Sequence, residues 1–92
     1  MDFSLYIGGK PIMSYVTNVV MYFTTQGAES VIIKSRGKFI SSAVEVAEVI
    51  QKQFLKDKVK IGDVKIDSQE LTAKDGKKVR VSTMEITLTK AQ

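Results

Sequence analysis

The sequence predicts an α+β domain whose elements run in the order β-α-β-α-β-β. Three observations support this prediction: a short alternating segment opens the chain, two later segments carry apolar residues at helical spacing, and the last third has the pattern of one long hairpin. The 92 residues suffice for one modest core. No linker, internal repeat or low-complexity segment interrupts them, so we expect residues 1–92 to form a single domain.

The first strand and the first helix are predicted near the start of the chain. Residues 3–7 alternate between apolar and polar side chains, as a half-buried strand does. Pro11 stands where the first turn of a helix tolerates proline, because no amide donor is needed there. One apolar face follows at helical spacing: Ile12, Tyr15, Val16, Val19, Val20 and Phe23. Gly27 is placed to end this helix in a left-handed conformation.

A second strand and a second helix follow. The apolar run Val31–Ile33 is flanked by charge and predicts a central strand covered on both faces. Residues 36–38 interrupt the run before the next helix begins. That helix has a predicted apolar face made of Ile40, Ala43, Val44, Ala47, Ile50 and Phe54. Ser41 and Ser42 are both candidates to cap its start.

The last third predicts two long strands joined by a tight turn. Residues 74–77 contain Asp75-Gly76, a strong signal for a hairpin turn. The apolar positions change parity across Gly62-Asp63 on the outgoing limb and between Val81 and Met84 on the returning limb. One extra residue inverts the facing of every later side chain in a strand, so both changes predict a β-bulge.

Basic residues are concentrated at the tip of the predicted hairpin: Lys74, Lys77, Lys78 and Arg80, opposed there only by Asp75. Residues 74–78 include no apolar side chain, so the tip should project into solvent by ~10–13 Å. A narrow basic ribbon fits the electronegative minor groove of DNA, which is ~6 Å wide. Equally, the charges could simply keep the hairpin from pairing with other strand edges.

Two further basic segments lie where a strand leads into a helix. Residues 34–38 combine a glycine, a helix start and Arg36, which can hold a phosphate with two hydrogen bonds. Alternatively, residues 34–38 could be an ordinary strand-to-helix turn whose charges are solvated. Residues 8–11 lack the Gly-Lys-Ser/Thr ending of a Walker loop and contribute Lys10 as one more cation.

Composition excludes several kinds of site. The chain has no cysteine and no histidine, which excludes disulfides, zinc–sulfur sites and Ser-His-Asp catalysis. The net charge of +4 indicates an anionic partner only weakly. The acidic pairs at 45/48 and 63/67 are best explained as surface charge, so we expect no enzyme, cofactor or metal site. No apolar run approaches the ~20 residues of a membrane span, so we expect a soluble, cytoplasmic protein without a membrane partner.

Several segments together resemble the Alba family of archaeal chromatin proteins. Ile7–Val16 is similar to the family's opening Ile-Gly-Lys-Lys-Pro-Val-Met-Asn-Tyr-Val, and Val31–Lys38 resembles its Ile-Lys-Ala-Arg-Gly-Arg segment. Ile40–Glu45, Phe54–Lys58 and Arg80–Ile86 also fit the family pattern in order and spacing. The resemblance implies a β-α-β-α-β-β fold like the C-terminal domain of bacterial translation initiation factor 3, with a long projecting hairpin between the last two strands.

The resemblance also implies a function and partners. Family members form two-fold dimers that bind double-stranded DNA with little sequence preference and also bind RNA. We therefore expect a chromosome-associated protein that coats and compacts archaeal DNA as a homodimer, or as a heterodimer with a paralogue. The alternative is a mainly RNA-binding protein, either an RNA chaperone or a subunit of a ribonuclease P-like particle.

By position, the resemblance assigns roles to individual residues. Body contacts to nucleic acid would be Lys10, Arg36 and Lys38, and arm contacts would be Lys74, Lys77, Lys78 and Arg80. Phe54 aligns with a family phenylalanine that joins dimers along DNA, and Leu55 extends that contact, whereas spacing alone places both residues in the core.

The sequence also departs from the family pattern. Gly9 replaces the lysine that is acetylated in some members, so Lys10 is the remaining candidate for that modification. Lys38 replaces a common arginine and keeps its charge without the planar fork. Gln51 and Gln53 replace arginines before the phenylalanine, which bears on the contact between dimers.

Overall fold

The computed structural model describes residues 2–91 and has the predicted order of elements. Their bounds are β1 (Asp2–Tyr6), α1 (Ile12–Thr24), β2 (Ser30–Arg36), α2 (Ile40–Val49), β3 (Val59–Thr72) and β4 (Lys78–Lys90). A 3₁₀ turn at Gly37–Phe39 leads into α2, and a π-helical turn at Ile50–Phe54 continues it. The α+β prediction is therefore confirmed.

The strands form one mixed sheet in the order β1-β2-β4-β3. β1 pairs with β2 in parallel, and β4 pairs with β2 on one side and with β3 on the other, both antiparallel. α1 and α2 pack against each other and against one face of this sheet. The opposite face, here called the open face, carries no helix.

The core lies between the two helices and the sheet. It contains Ile7, Tyr15, Val16, Val19, Phe23, Ala28, Val31, Ile33, Ala43, Val46, Ala47, Ile50, Leu55, Val59, Ile86 and Leu88. The prediction that β2 is covered on both faces is wrong. Val31 and Ile33 point toward the helices and are fully buried, whereas Ile32 between them faces the open side and is only partly buried.

The helices largely follow their predicted faces. α1 buries Tyr15, Val16, Val19 and Phe23. Gly27 adopts the predicted left-handed conformation, with φ of 71°. In α2 the prediction missed Val46, which is buried, and it placed Val44 in the core although that residue is exposed. Neither predicted serine caps α2, because the helix already begins at Ile40 and has no side-chain cap.

The long hairpin confirms one of the two predicted bulges. The register of β3 against β4 shifts by one residue between Ile61 and Val64, at the predicted Gly62-Asp63. The bulge predicted on β4 is wrong, since that strand pairs with β3 without interruption from Ile86 to Lys78. The parity change on β4 means instead that the apolar residues Val79 and Val81 lie on the face opposite Met84.

The turn of the hairpin has the predicted Asp-Gly geometry. Gly76 has a φ of 85°, a region that glycine enters without steric cost. The backbone N–H of Ala73 donates to the carbonyl oxygen of Lys77 at 2.7 Å, and the N–H of Lys77 donates to Asp75 Oδ1 at 3.0 Å.

The hairpin projects from the body as an arm, as predicted, and the arm is longer than the ~10–13 Å expected from the sequence. β2 ends where Arg36 pairs with Thr83, and β4 continues from Ser82 to Lys78 with only β3 beside it, a length of ~17 Å at strand rise. The molecule measures 47 × 24 × 20 Å and its radius of gyration is 14.3 Å. A compact chain of this length would have a radius of about 12 Å, so the projection dominates the shape.

Candidate nucleic-acid interface

The topology of the sheet collects three basic segments at one end of the molecule. Parallel strands end at the same edge of a sheet, so the segments that follow β1 and β2 lie side by side. β4 runs antiparallel to β2, and its first residues therefore extend past that same edge. We call this region the arm end; it comprises residues 8–11, 36–39 and the arm at residues 68–82.

All seven cations predicted to contact nucleic acid lie at the arm end, and all are exposed: Lys10, Arg36, Lys38, Lys74, Lys77, Lys78 and Arg80. Both helices also begin here, and neither has an acidic residue in its first turn. The positive ends of the helix dipoles therefore add to the side-chain charges instead of being neutralised. This arrangement can attract and hold a polyanion.

The segment after β1 is held by a buried tyrosine. The backbone N–H groups of Gly8 and Lys10 donate to the hydroxyl oxygen of Tyr15 at 2.8 and 3.2 Å. Tyr15 is only 7% exposed, so its ring belongs to the core while its hydroxyl fixes the loop that carries Lys10. Helical spacing predicted the ring's burial but gave no sign of this second role.

The segment after β2 is braced against the base of the arm. Gly37 has a φ of 57°, and a Cβ at this position would lie 3.5 Å from Val81 Cγ1 on β4. Arg36 Nη1 donates to Gln69 Oε1 on β3 at 3.4 Å, a long hydrogen bond. The turn and the arm therefore contact each other, and Arg36 lies at their junction.

The arm is less positive than the sequence suggested. Glu70 pairs with Arg80 in the register of the hairpin, and its Oε1 lies 3.7 Å from Lys78 Nζ. Both members of the Lys78–Glu70 pair are mostly exposed, so the pair contributes little to stability. Its effect is electrostatic, because Glu70 competes with any phosphate for Lys78. The sequence analysis did not predict this contact, because it depends on the register of β3 against β4.

Other charges lie away from the arm end. Glu29, Lys58 and Lys90 meet at the opposite end, where the backbone N–H of Lys90 donates to the Glu29 carbonyl and the N–H of Ala91 donates to the Lys58 carbonyl. Four further lysines are exposed: Lys56, Lys58, Lys60 and Lys65. Among the candidate carboxylates, Glu48 accepts a hydrogen bond from Lys52 Nζ at 3.0 Å on the surface of α2.

The two residues assigned to contacts between dimers differ in exposure. Leu55 is 5% exposed and belongs to the core, so its side chain offers almost no surface to a partner. Phe54 is 50% exposed and ends the π-helical turn. Of these two residues, Phe54 therefore remains the candidate for a contact between dimers.

Across residues 2–91, no three acidic side chains gather closely enough to hold a metal ion. Among the helices of residues 2–91, none combines the length and apolar character that crossing a membrane requires.

Comparison with known proteins places the chain in a family. The family model described as Alba matches residues 4–68. The chain belongs to the Alba family. A protein of Nanoarchaeum equitans (strain Kin4-M), named DNA/RNA-binding protein Alba, is 52% identical over 87 residues, which cover 94% of this chain and 96% of the relative. A Methanococcus maripaludis protein of the same name is 42% identical over 90 residues, covering 98% of this chain and all of the relative.

Solved structures of Alba proteins share this fold. Alba from Thermoplasma volcanium superimposes with a TM-score of 0.85 at 41% identity, covering 94% of this chain and 98% of that one. ALBA1 from Trypanosoma brucei superimposes with a TM-score of 0.75 at 22% identity, covering 97% of this chain and 69% of that one, and supports the fold alone. The Alba-like fold inferred from the sequence is thereby confirmed.

The conformations of two glycines at the arm end lead to a matched prediction. Gly37→Ala should lower the free energy of unfolding by about 1–2 kcal/mol, because alanine is strained at the positive φ of this position. Gly9→Ala should be neutral or stabilising by up to about 1 kcal/mol, since no atom lies within 4 Å of its added Cβ and its φ is not positive. Urea unfolding followed by circular dichroism measures both, and equal effects would contradict this account of Gly37.

Proposed function

We propose that this chain is a sequence-tolerant, double-stranded DNA-binding chromatin protein that coats and compacts archaeal DNA as a dimer and also binds RNA. The observation that carries the proposal is the gathering of seven exposed cations and two helix N-termini at the arm end. The names of the Nanoarchaeum and Methanococcus relatives, DNA/RNA-binding protein Alba, support the same class of ligand. Such a protein would be cytoplasmic and associated with the chromosome.

The proposed mechanism is neutralisation of phosphates with release of their counterions. Lys10, Arg36 and Lys38 would contact the backbone beneath the body, and the narrow arm would reach a minor groove. None of the seven cations is buried, so each can move to a phosphate without disturbing the core. Contacts of this kind carry little sequence information, which accounts for binding without sequence preference. Acetylation of Lys10 would remove one of these charges.

RNA as the main target is the second candidate, and both relatives' names include it. An A-form duplex presents a wide, shallow minor groove, which would accept the body but would not enclose the arm. Competition between DNA and RNA duplexes of equal length and matched sequence separates the two candidates. Preference for RNA, maintained when the arm cations are removed, would favour an RNA chaperone or a subunit of a ribonuclease P-like particle.

Dimerisation is proposed through an apolar patch near the base of the arm. Ile66 is 72% exposed and Val64 is 52% exposed on the helix side of β3, and Ile66 pairs across the strands with Met84. Ile40 borders the same depression as Ile66, and Val44 lies one helical turn further along α2 and is 39% exposed. Contiguous exposed apolar surface of this kind marks an interaction site, and a second copy would bury it.

Dimers would contact one another through Phe54, the exposed ring at the end of α2 opposite to the arm end. Its position leaves the cations free to follow the duplex while neighbouring dimers meet side by side. Gln51 and Gln53 precede it in the chain and are themselves uncharged.

The phosphate mechanism predicts how binding responds to salt. Arg36→Ala and Lys77→Ala should each reduce the slope of log affinity against log salt concentration by about 1 for each phosphate that the variant no longer neutralises, whatever the DNA sequence. Lys58→Ala removes the same charge at the opposite end and serves as the control. The measurement is a fluorescence-anisotropy titration at several salt concentrations. Equal slopes for all three variants would mean that net charge, not the arm end, determines binding.

The dimer patch predicts a loss of association upon introduction of charge. Wild-type protein should sediment at about twice its chain mass of 10.2 kDa, and Ile66→Asp should sediment as a monomer, because burial of an unpaired carboxylate is costly. Val79 is also apolar and exposed but lies on the other face of the arm, so Val79→Asp should remain dimeric. Circular dichroism establishes that the variants fold. A dimeric Ile66→Asp protein would place the dimer interface elsewhere.

A further inference from the structure

One large aromatic residue at the arm end has no role in the core or in the proposed duplex contacts. Tyr6 is the last residue of β1 and is 70% exposed. In the register of the sheet it pairs with Lys34, whose ammonium nitrogen lies 5.6 Å from the centre of the tyrosine ring. The ring therefore stands on the open face of the sheet beside a cation.

Tyr6 forms one wall of a groove at the arm end. The residues that line the groove include Tyr6, Arg36, Phe39 and Gln69. It thus combines two aromatic residues with a guanidinium group and a side-chain amide. The carbonyl oxygen of Gln69 already accepts from Arg36, so the amide group of Gln69 remains available to donate.

These groups complement the parts of a single nucleotide. Aromatic side chains stack on bases of any sequence, because every base has a π-face, and neighbouring cations bind the phosphate. A base within a duplex cannot use such a wall, since both of its faces are already stacked. An unpaired base at a strand end or in a loop has a free face and fits the groove.

We propose that this groove binds an unpaired nucleotide, with its base stacked on Tyr6 and its phosphate held by Lys34 or Arg36. The inference rests on the proposed nucleic-acid-binding function and specifies its substrate class. Arg36 belongs both to the groove and to the surface proposed to contact a duplex. The preferred ligand is therefore a duplex that ends in a short single-stranded overhang, in DNA or RNA.

Binding of blunt and overhanging duplexes tests the proposal. The duplex sequence is kept constant. Blunt and overhanging duplexes are each prepared as DNA and as RNA, to determine from which of the two the groove binds an unpaired nucleotide. Wild-type protein should bind the overhanging duplex about tenfold more tightly than the blunt one, because stacking of one base on an aromatic ring raises the affinity by about this factor. Tyr6→Leu should lose that preference and keep its affinity for the blunt duplex, whereas Tyr6→Phe should retain the preference.

A spectroscopic measurement reports stacking directly. With 2-aminopurine as the unpaired base, wild-type protein and Tyr6→Phe should quench its fluorescence, and Tyr6→Leu should not. Tyr6 is mostly exposed, so these variants should fold, as circular dichroism can verify. Equal preference and equal quenching in wild type and Tyr6→Leu would overturn the inference while leaving duplex binding intact. Failure of wild-type protein to bind any of the duplexes would overturn the proposed function together with the inference.

Discussion

The parallel pairing of β1 with β2 is the constraint on which the rest of this molecule depends. It places the ends of both strands at one edge of the sheet, and each end leads into a helix. Antiparallel addition of β4 next to β2 then directs the arm past that same edge. Basic residues far apart in sequence therefore lie at one end of the molecule, although the net charge is only +4. The proposed binding of polyanions therefore depends more on where the basic residues lie than on the net charge of the chain.

Core packing and the shape of the binding surface are joined by a few local contacts. The Tyr15 ring lies in the core while its hydroxyl oxygen accepts two N–H groups of the loop that carries Lys10. Gly37 lets the chain turn against Val81, so the cations after β2 sit at the base of the arm. These contacts fix the backbone segments that carry the basic side chains. Less conformational entropy is then lost when a ligand binds.

Local patterns in the sequence predicted the order of elements, the Asp-Gly turn and the bulge at Gly62-Asp63, because each depends on neighbouring residues alone. Pairing between distant segments could not be predicted in the same way. The approach of Glu70 to Lys78 depends on the hairpin register, and the one-sided burial of β2 depends on where the helices pack. Likewise, exposure of Ile66 is visible only once the body is seen to leave that part of β3 uncovered.

Mapping the backbone amides that respond to a bound duplex tests the central claim most directly. In a ¹⁵N-labelled sample titrated with duplex DNA, we expect the largest chemical-shift changes at Lys10, at residues 36–38 and along residues 74–80. Amides of Lys58 and Lys90 at the opposite end should remain unchanged. This result would establish the arm end as the nucleic-acid surface. Changes centred on the opposite end, with the arm end silent, would contradict the account.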